Sequence, residues 1–205
     1  MSIWTDYQKF TRTTAIYADG VNEFITNAPL EAPTLIYLPL GLADEAGELA
    51  EKISAFTARA IAITGIDSFN PHPVSKTDIL KEVGDVVWYC ARILDERGID
   101  LSVSASMEYL GPATLDHIAL EVATLAGRVA GRSKKYIRDG AGWDLDEKRE
   151  KLYAPQADAI VRIIAALKTL CRFFGTTLEH VLHENQQKLQ SRKDRGVLQG
   201  DGDNR

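Results

Sequence analysis

Four carboxylates stand in two short segments with the same internal spacing. In GLADEAGELAEKI, residues 41–53, Glu45 and Glu48 are three apart, and in LKEVGDVVWYC, residues 80–90, Glu82 and Asp85 repeat the interval. On a helix, residues three apart share a face. Two antiparallel helices can therefore bring both pairs to one place. Four carboxylates gathered without a counter-charge repel one another, and one or more keeps its proton. A hard divalent cation removes that repulsion. Mg²⁺ takes an octahedral set of oxygens, keeps several waters and commonly shares its shell with substrate phosphates. No His or Cys stands among the four, which argues against zinc. Glu45, Glu48, Glu82 and Asp85 are thus candidate metal ligands and catalytic residues, with Mg²⁺ as the expected cofactor and Mn²⁺ as a substitute. Either acidic pair alone is what an ordinary solvated helix face carries. Both pairs, however, enclose a glycine, Gly47 and Gly84. Each costs a helix about 1 kcal/mol relative to alanine, so close backbone approach or room for a ligand is expected there.

A second group of residues suits an anionic substrate. Lys52 lies one turn beyond Glu48, on the same helical face. Near the C-terminus Lys188 and Arg192 are four apart, with Asn185 three before Lys188. Lysine and arginine are also what any helix end favours. Trp88 taken alone reads as a core tryptophan. Lys134, Lys135 and Arg138 read as a solvated basic face. His180 and His183 have no ExxH partner and read as surface residues. The missing ExxH also argues against a di-iron bundle of ferritin type.

The elements that must carry these groups are helices. Residues 3–18 are amphipathic. A loop with Pro29 and Pro33 follows, and then a helix from about Leu38 to Thr64 in which Leu42, Ala46, Leu49, Ile53 and Phe56 recur at helical spacing. The Pro-punctuated stretch IDSFNPHPVSKT is a loop. Val83, Val87, Cys90 and Leu94 line a helix from about Asp78 to Arg97 that Gly98 ends. A short helix from Asp100 to Leu110, a longer one from Leu115 to Ile137, one from Pro155 to Gly175 and a last one from Thr177 to Arg192 complete the pattern. The tail GVLQGDGDNR is polar and glycine-rich, the composition of a mobile end. No segment alternates as a strand does, so the expected fold class is all-α, a helical bundle. There is also a faint internal repeat: ERGIDLSVSAS parallels FFGTTLEHVLHE, and LADEAGELAEKI parallels ALEVATLAGRVAG at nearly the same offset.

The bulk numbers narrow the function classes. The chain has 205 residues, 45% of them hydrophobic, and a formal net charge of -5. That excess of acid argues against a nucleic-acid backbone binder. No run approaches the roughly 18 apolar residues that span a bilayer. MSIWTDYQKF lacks a basic region followed by an apolar stretch, so no signal peptide is expected and the cytoplasm is the expected compartment. Cys90 and Cys171 lie inside apolar periodic segments and read as reduced core residues.

The two acidic segments together resemble a known family. ExxE on one helix and ExxD on the next, as GLADEAGELAEKI and KEVGDVVWYCARILDERGIDL, resemble the two motifs of the MazG-like nucleoside triphosphate pyrophosphohydrolases, all-α enzymes related to the dimeric dUTPases. YQKFTRTTAIY and LIYLPLGL resemble what precedes the motif in small members, often phage-encoded, and NQQKLQSRKDRG resembles the closing Asn–Lys–Arg segment. The resemblance covers most of the chain. It implies hydrolysis of a (deoxy)nucleoside triphosphate to the monophosphate and pyrophosphate, with Asn185, Lys188 and Arg192 toward the phosphates, Lys52 as a weaker phosphate candidate, Tyr89 near the sugar or base, and Trp88 as a base-stacking candidate that is equally a core tryptophan. It implies a small-molecule substrate and a homodimer.

Two departures stand out: a long gap between Glu48 and Glu82, and an additional stretch over about 111–175. A fused tandem pseudo-dimer accounts for the second. Residues 1–110 would then be the catalytic half. Residues 111–205 would be a degenerate half, in which Glu121 and Thr124 answer to the first acidic pair and an apolar segment answers to the second. The alternative reading is a non-catalytic helical interaction or nucleotide-binding protein derived from the same family.

Overall fold

The computed structural model describes residues 2–17, 32–62 and 74–198. The expected loops at 18–31 and 65–73, and the last residues of the tail, lie outside the described residues. The described residues hold helices, turns and irregular connections and no strand, and the helices form one bundle around one apolar core.

Helix α1, Ile3–Arg12, starts on Ser2, whose hydroxyl accepts from the Thr5 amide. It buries Trp4, Tyr7, Gln8 and Thr11, one stripe at helical spacing. It ends earlier than the expected residue 18, because Thr13 and Thr14 turn the chain. Helix α2, Ala32–Ala62, is 31 residues long and begins before the expected Leu38. It continues through Pro39, which has no N–H to give and crowds the preceding turn. Leu35, Leu38, Leu42, Ala46, Leu49 and Ile53 are all buried along it. That continuous apolar stripe carries the helix past the proline.

Helix α3, Lys76–Glu96, opens with a capping box between Ser75 and Asp78. It closes on Gly98 at φ 69°. The Gly98 amide bonds the Asp95 carbonyl at 3.0 Å and the Ile99 amide bonds the Leu94 carbonyl at 2.9 Å, the paired closure of a Schellman turn. Gln8 stitches this turn to α1: its amide donates to the Ile99 carbonyl at 2.8 Å and its oxygen accepts from the Leu101 amide at 2.9 Å. The expected helix at 100–110 is only a 3₁₀ turn over Leu101–Ser104.

Helix α4, Leu115–Asp139, packs along α2. Thr57, late in α2, donates to Asp116, early in α4, so the two run antiparallel. A short helix α5, Leu145–Lys148, passes through a π turn, Arg149–Tyr153, into helix α6, Ala154–Phe173. The expected start at Pro155 misses α5, although Asp144 and Glu147 form a capping box that marks it. Helix α6 ends as α3 does. Gly175 sits at φ 73°, its amide bonds the Arg172 carbonyl at 3.0 Å, and the Thr176 amide bonds the Cys171 carbonyl at 3.0 Å. Thr177 then caps helix α7, Leu178–Asp194, which packs on α3 and α1. Cys90 and Cys171 are buried and unpaired. Among the described residues no helix is long and apolar enough to cross a membrane.

Candidate functional site

Helices α2 and α3 run antiparallel, with Lys52 of α2 beside Glu82 of α3 and Gly41 beside Tyr89. This register brings three of the four acids together. One carboxylate oxygen from each of Glu45, Glu48 and Glu82 lies within 4.8 Å of the others. Glu82 is buried, Glu45 half-buried and Glu48 exposed. Burial, then the charges of Asp85, Glu82 and Glu48, push the Glu45 carboxyl up to about 8, while Lys188 pulls against them. The group is short of positive charge, and two lysines supply part of it. Lys52 Nζ bonds Glu82 Oε1. Lys188 Nζ bonds both oxygens of Asp85, at 2.7 and 2.5 Å.

Asp85 therefore stands beside the trio rather than inside it. Its charge reaches Glu45, but its own oxygens are held by Lys188 and by Asn185, whose Nδ2 donates at 2.9 Å. The expectation of four acids meeting at one point resolves into three that converge and one turned toward α7. The donor set fits Mg²⁺ in kind, being all oxygen.

Asn185 is held from below. Tyr7, 1% exposed, donates its hydroxyl to Asn185 Oδ1 at 2.8 Å, with a longer contact of 3.4 Å to the Gly84 carbonyl. Burial and the charge of Asp85 raise the Tyr7 phenol well above its ordinary range, so it stays a neutral donor. A Cβ on Gly84 would stand 2.7 Å from Asn185 Nδ2. Gly84 is thus the close approach that its cost suggested, and what approaches is the side chain of α7. Gly47 differs: it is exposed, and a Cβ there would meet nothing within 4 Å. Packing does not require it.

The remaining candidates are scattered around this centre. Tyr89 lies over Gly41, which has no room for a Cβ beneath the ring. Its hydroxyl is 3.4 Å from that of Tyr37. The two tyrosines, with Leu40, Gly41, Ala43 and Asp44, line an open hollow of about 640 Å³. Trp88 faces elsewhere: its indole N–H donates to Thr14 at 2.9 Å, and its ring meets Tyr89 edge-on. Arg192, one turn past Lys188, is buried. His180 and His183 are exposed, His180 beside Glu184 and His183 beside Gln187. Lys134, Lys135 and Arg138 are exposed, as a solvated face requires.

Tyr7 carries no chemical signal in the sequence. Its burial is legible in the α1 stripe. The partner of its hydroxyl lies far along the chain, and no local pattern points to it.

The chain is 37% identical over 91 residues to the Gene 37 protein of Mycobacterium phage L5, a span that covers 44% of this chain and 76% of the phage protein. The chain belongs to the family of that phage protein. The name of the relative carries no activity, so the chemistry rests on the residues described above. No protein-family profile and no solved structure matches the chain.

Proposed function

We propose that the chain is a Mg²⁺-dependent nucleoside triphosphate pyrophosphohydrolase of MazG-like type, which hydrolyses its substrate to the nucleoside monophosphate and pyrophosphate. One observation carries the reading: Glu45, Glu48 and Glu82 converge next to Asp85, with two lysines at the same place. Oxygen donors and cationic groups side by side suit a metal–polyphosphate ligand better than either charge alone. Mg²⁺ on the three glutamates, with Mn²⁺ as its substitute, would offset the charge of the triphosphate and lower the pKa of a water near phosphorus.

The side chains divide the remaining work. Glu48, the exposed member of the trio, takes the proton of the attacking water on a carboxylate oxygen. Lys188 and Lys52 exchange carboxylate for phosphate oxygens as the substrate arrives. Asn185 keeps Asp85 in place meanwhile. Arg192 has the type and helical position of a phosphate ligand, and suits paired contacts. The hollow under Tyr37 and Tyr89 takes the sugar or base. A homodimer acting on a small-molecule nucleotide in the cytoplasm belongs to the same reading.

The test is a panel of canonical and modified nucleoside triphosphates with Mg²⁺, scored for pyrophosphate and compared with Glu48→Ala. Release from one or a few nucleotides, lost in the variant, is expected. No release from any nucleotide, with Mg²⁺ or with Mn²⁺, would sink the proposal.

A further inference from the structure

Helix α1 supplies none of the candidate metal ligands, yet one of its side chains is linked to them by two hydrogen bonds in series. The Tyr7 hydroxyl donates to Asn185 Oδ1 at 2.8 Å, and Asn185 Nδ2 donates to Asp85 Oδ1 at 2.9 Å. A carboxamide has one accepting end and one donating end. A phenol that donates to the oxygen therefore fixes which way the amide lies, and aims the NH₂ at the carboxylate. In the reverse orientation the amide oxygen would face Asp85, lone pairs against lone pairs, and Lys188 would hold the acid without help. Gly84 lets the amide sit this close to α3. Three elements far apart in the chain, α1, α3 and α7, thus meet at one side-chain amide.

We propose that Tyr7 is a positioning residue of the carboxylate site, acting through Asn185 to set Asp85 beside Glu45, Glu48 and Glu82. The proposal rests on the reading of that site as a cation site. Second-layer partners of this kind orient the groups that hold a metal and tune its affinity. If Tyr7 served only to fill space, phenylalanine would replace it with little effect on the site.

The test uses the full chain with Tyr7→Phe, and with Trp4→Phe as a control at another buried position of the same helix. Two measurements are made. The Asn185 side-chain amide is followed by NMR without added metal, its resonance assigned by Asn185→Ser. In Tyr7→Phe its protons should exchange with water about tenfold faster, the protection of roughly one hydrogen bond. Mn²⁺ binding is then titrated calorimetrically. Tyr7→Phe should weaken it about tenfold, and Trp4→Phe should leave it unchanged even where the melting temperature falls as far. An unaltered Asn185 amide in Tyr7→Phe overturns the proposal. So does a freed amide with full Mn²⁺ affinity, or an equal loss of affinity in Trp4→Phe. A wild-type chain that binds no Mn²⁺ overturns the reading of the site itself, and that failure is distinct because Tyr7 has no part in the measurement.

Discussion

The helix pairs α2–α3 and α4–α6 are built alike and charged differently. Each is antiparallel, since early in α6 Gln156 meets Ser133 late in α4 and Arg162 further on meets Glu121 nearer its start, and each second helix closes on a positive-φ glycine with the same two hydrogen bonds, Gly98 in one and Gly175 in the other. The buried positions correspond: Leu42, Leu49 and Ile53 answer to Ile118, Leu125 and Val129, and Val83 and Val87 to Ile160 and Ile164. The acidic positions do not. Where α2–α3 has Glu45, Glu48, Glu82 and Asp85, the same turns of α4–α6 have Glu121, Thr124, Ala159 and Arg162. Arg162 reaches Glu121 at 2.7 Å, so the second pair carries its own positive charge and satisfies its one acid internally. The first pair gathers more acid than its own Lys52, together with Lys188 from α7, offsets. Similar packing with opposite charge balance separates what the bundle needs for folding from what is particular to the carboxylate site.

The sharpest way to break this contrast is to remove one acid from each side. On the proposed function, Glu82→Ala should lower pyrophosphate release by more than about 100-fold, since loss of second-layer groups alone costs 10–100-fold at metal sites. Glu121→Ala should leave the rate unchanged. Equal losses would mean that the second pair also takes part in the chemistry.

The two glycines sharpen the contrast within the first pair. Gly84→Ala forces a Cβ against Asn185 and should cost about 1–3 kcal/mol, as overpacking does, with weaker Mn²⁺ binding. Gly47→Ala meets open space and should stabilise the chain by up to about 1 kcal/mol. Denaturant titrations read both. If Gly47→Ala instead abolishes activity without unfolding, the space over that position belongs to the ligand.

The pH response comes next. Glu45 is raised from its ordinary 4.5 to about 8. Between those values the folded chain holds a proton that the unfolded chain has released, so stability falls as pH rises. The metal-free melting temperature should decline from about pH 4.5 to about pH 8 and then level off, and Glu45→Gln should flatten that part of the curve. A decline of unchanged size in Glu45→Gln would assign it to other groups.

The smallest effect is expected at Arg162→Ala. The ion pair with Glu121 is partly solvated, and its loss should cost no more than about 1 kcal/mol. Thermal melts would detect a larger loss, which would make the pair a structural link rather than a charge match.

The sequence carried the acidic pairs and the helices that present them, because a helical period and a three-residue interval are local properties. The convergence of Glu45 and Glu48 with Glu82 follows from those two patterns and one antiparallel packing. The turning of Asp85 toward Lys188 and Asn185 does not, because it depends on where α7 docks about a hundred residues later. The early start of α2 was hidden by Pro39, whose local preference is overridden by the burial of Leu35 and Leu38, whereas Pro33 falls in the first turn, where proline is tolerated. Helix α5 was legible in the Asp144–Glu147 capping box, but it is too short for a hydrophobic period to mark it.

Lys52 and Lys188 have one more consequence. Each sits on a site acid in the chain as it stands. On the proposed function they would act as placeholders, covering negative charge until a cation arrives. Small domains that fold only around their metal collapse when a chelator removes it. Here the bundle has an apolar core of its own and two resident ammonium groups at the acids. On that reading, assembly of the protein and arrival of a cation would be separate events, and the folded chain would stand in reserve until ion and nucleotide came together.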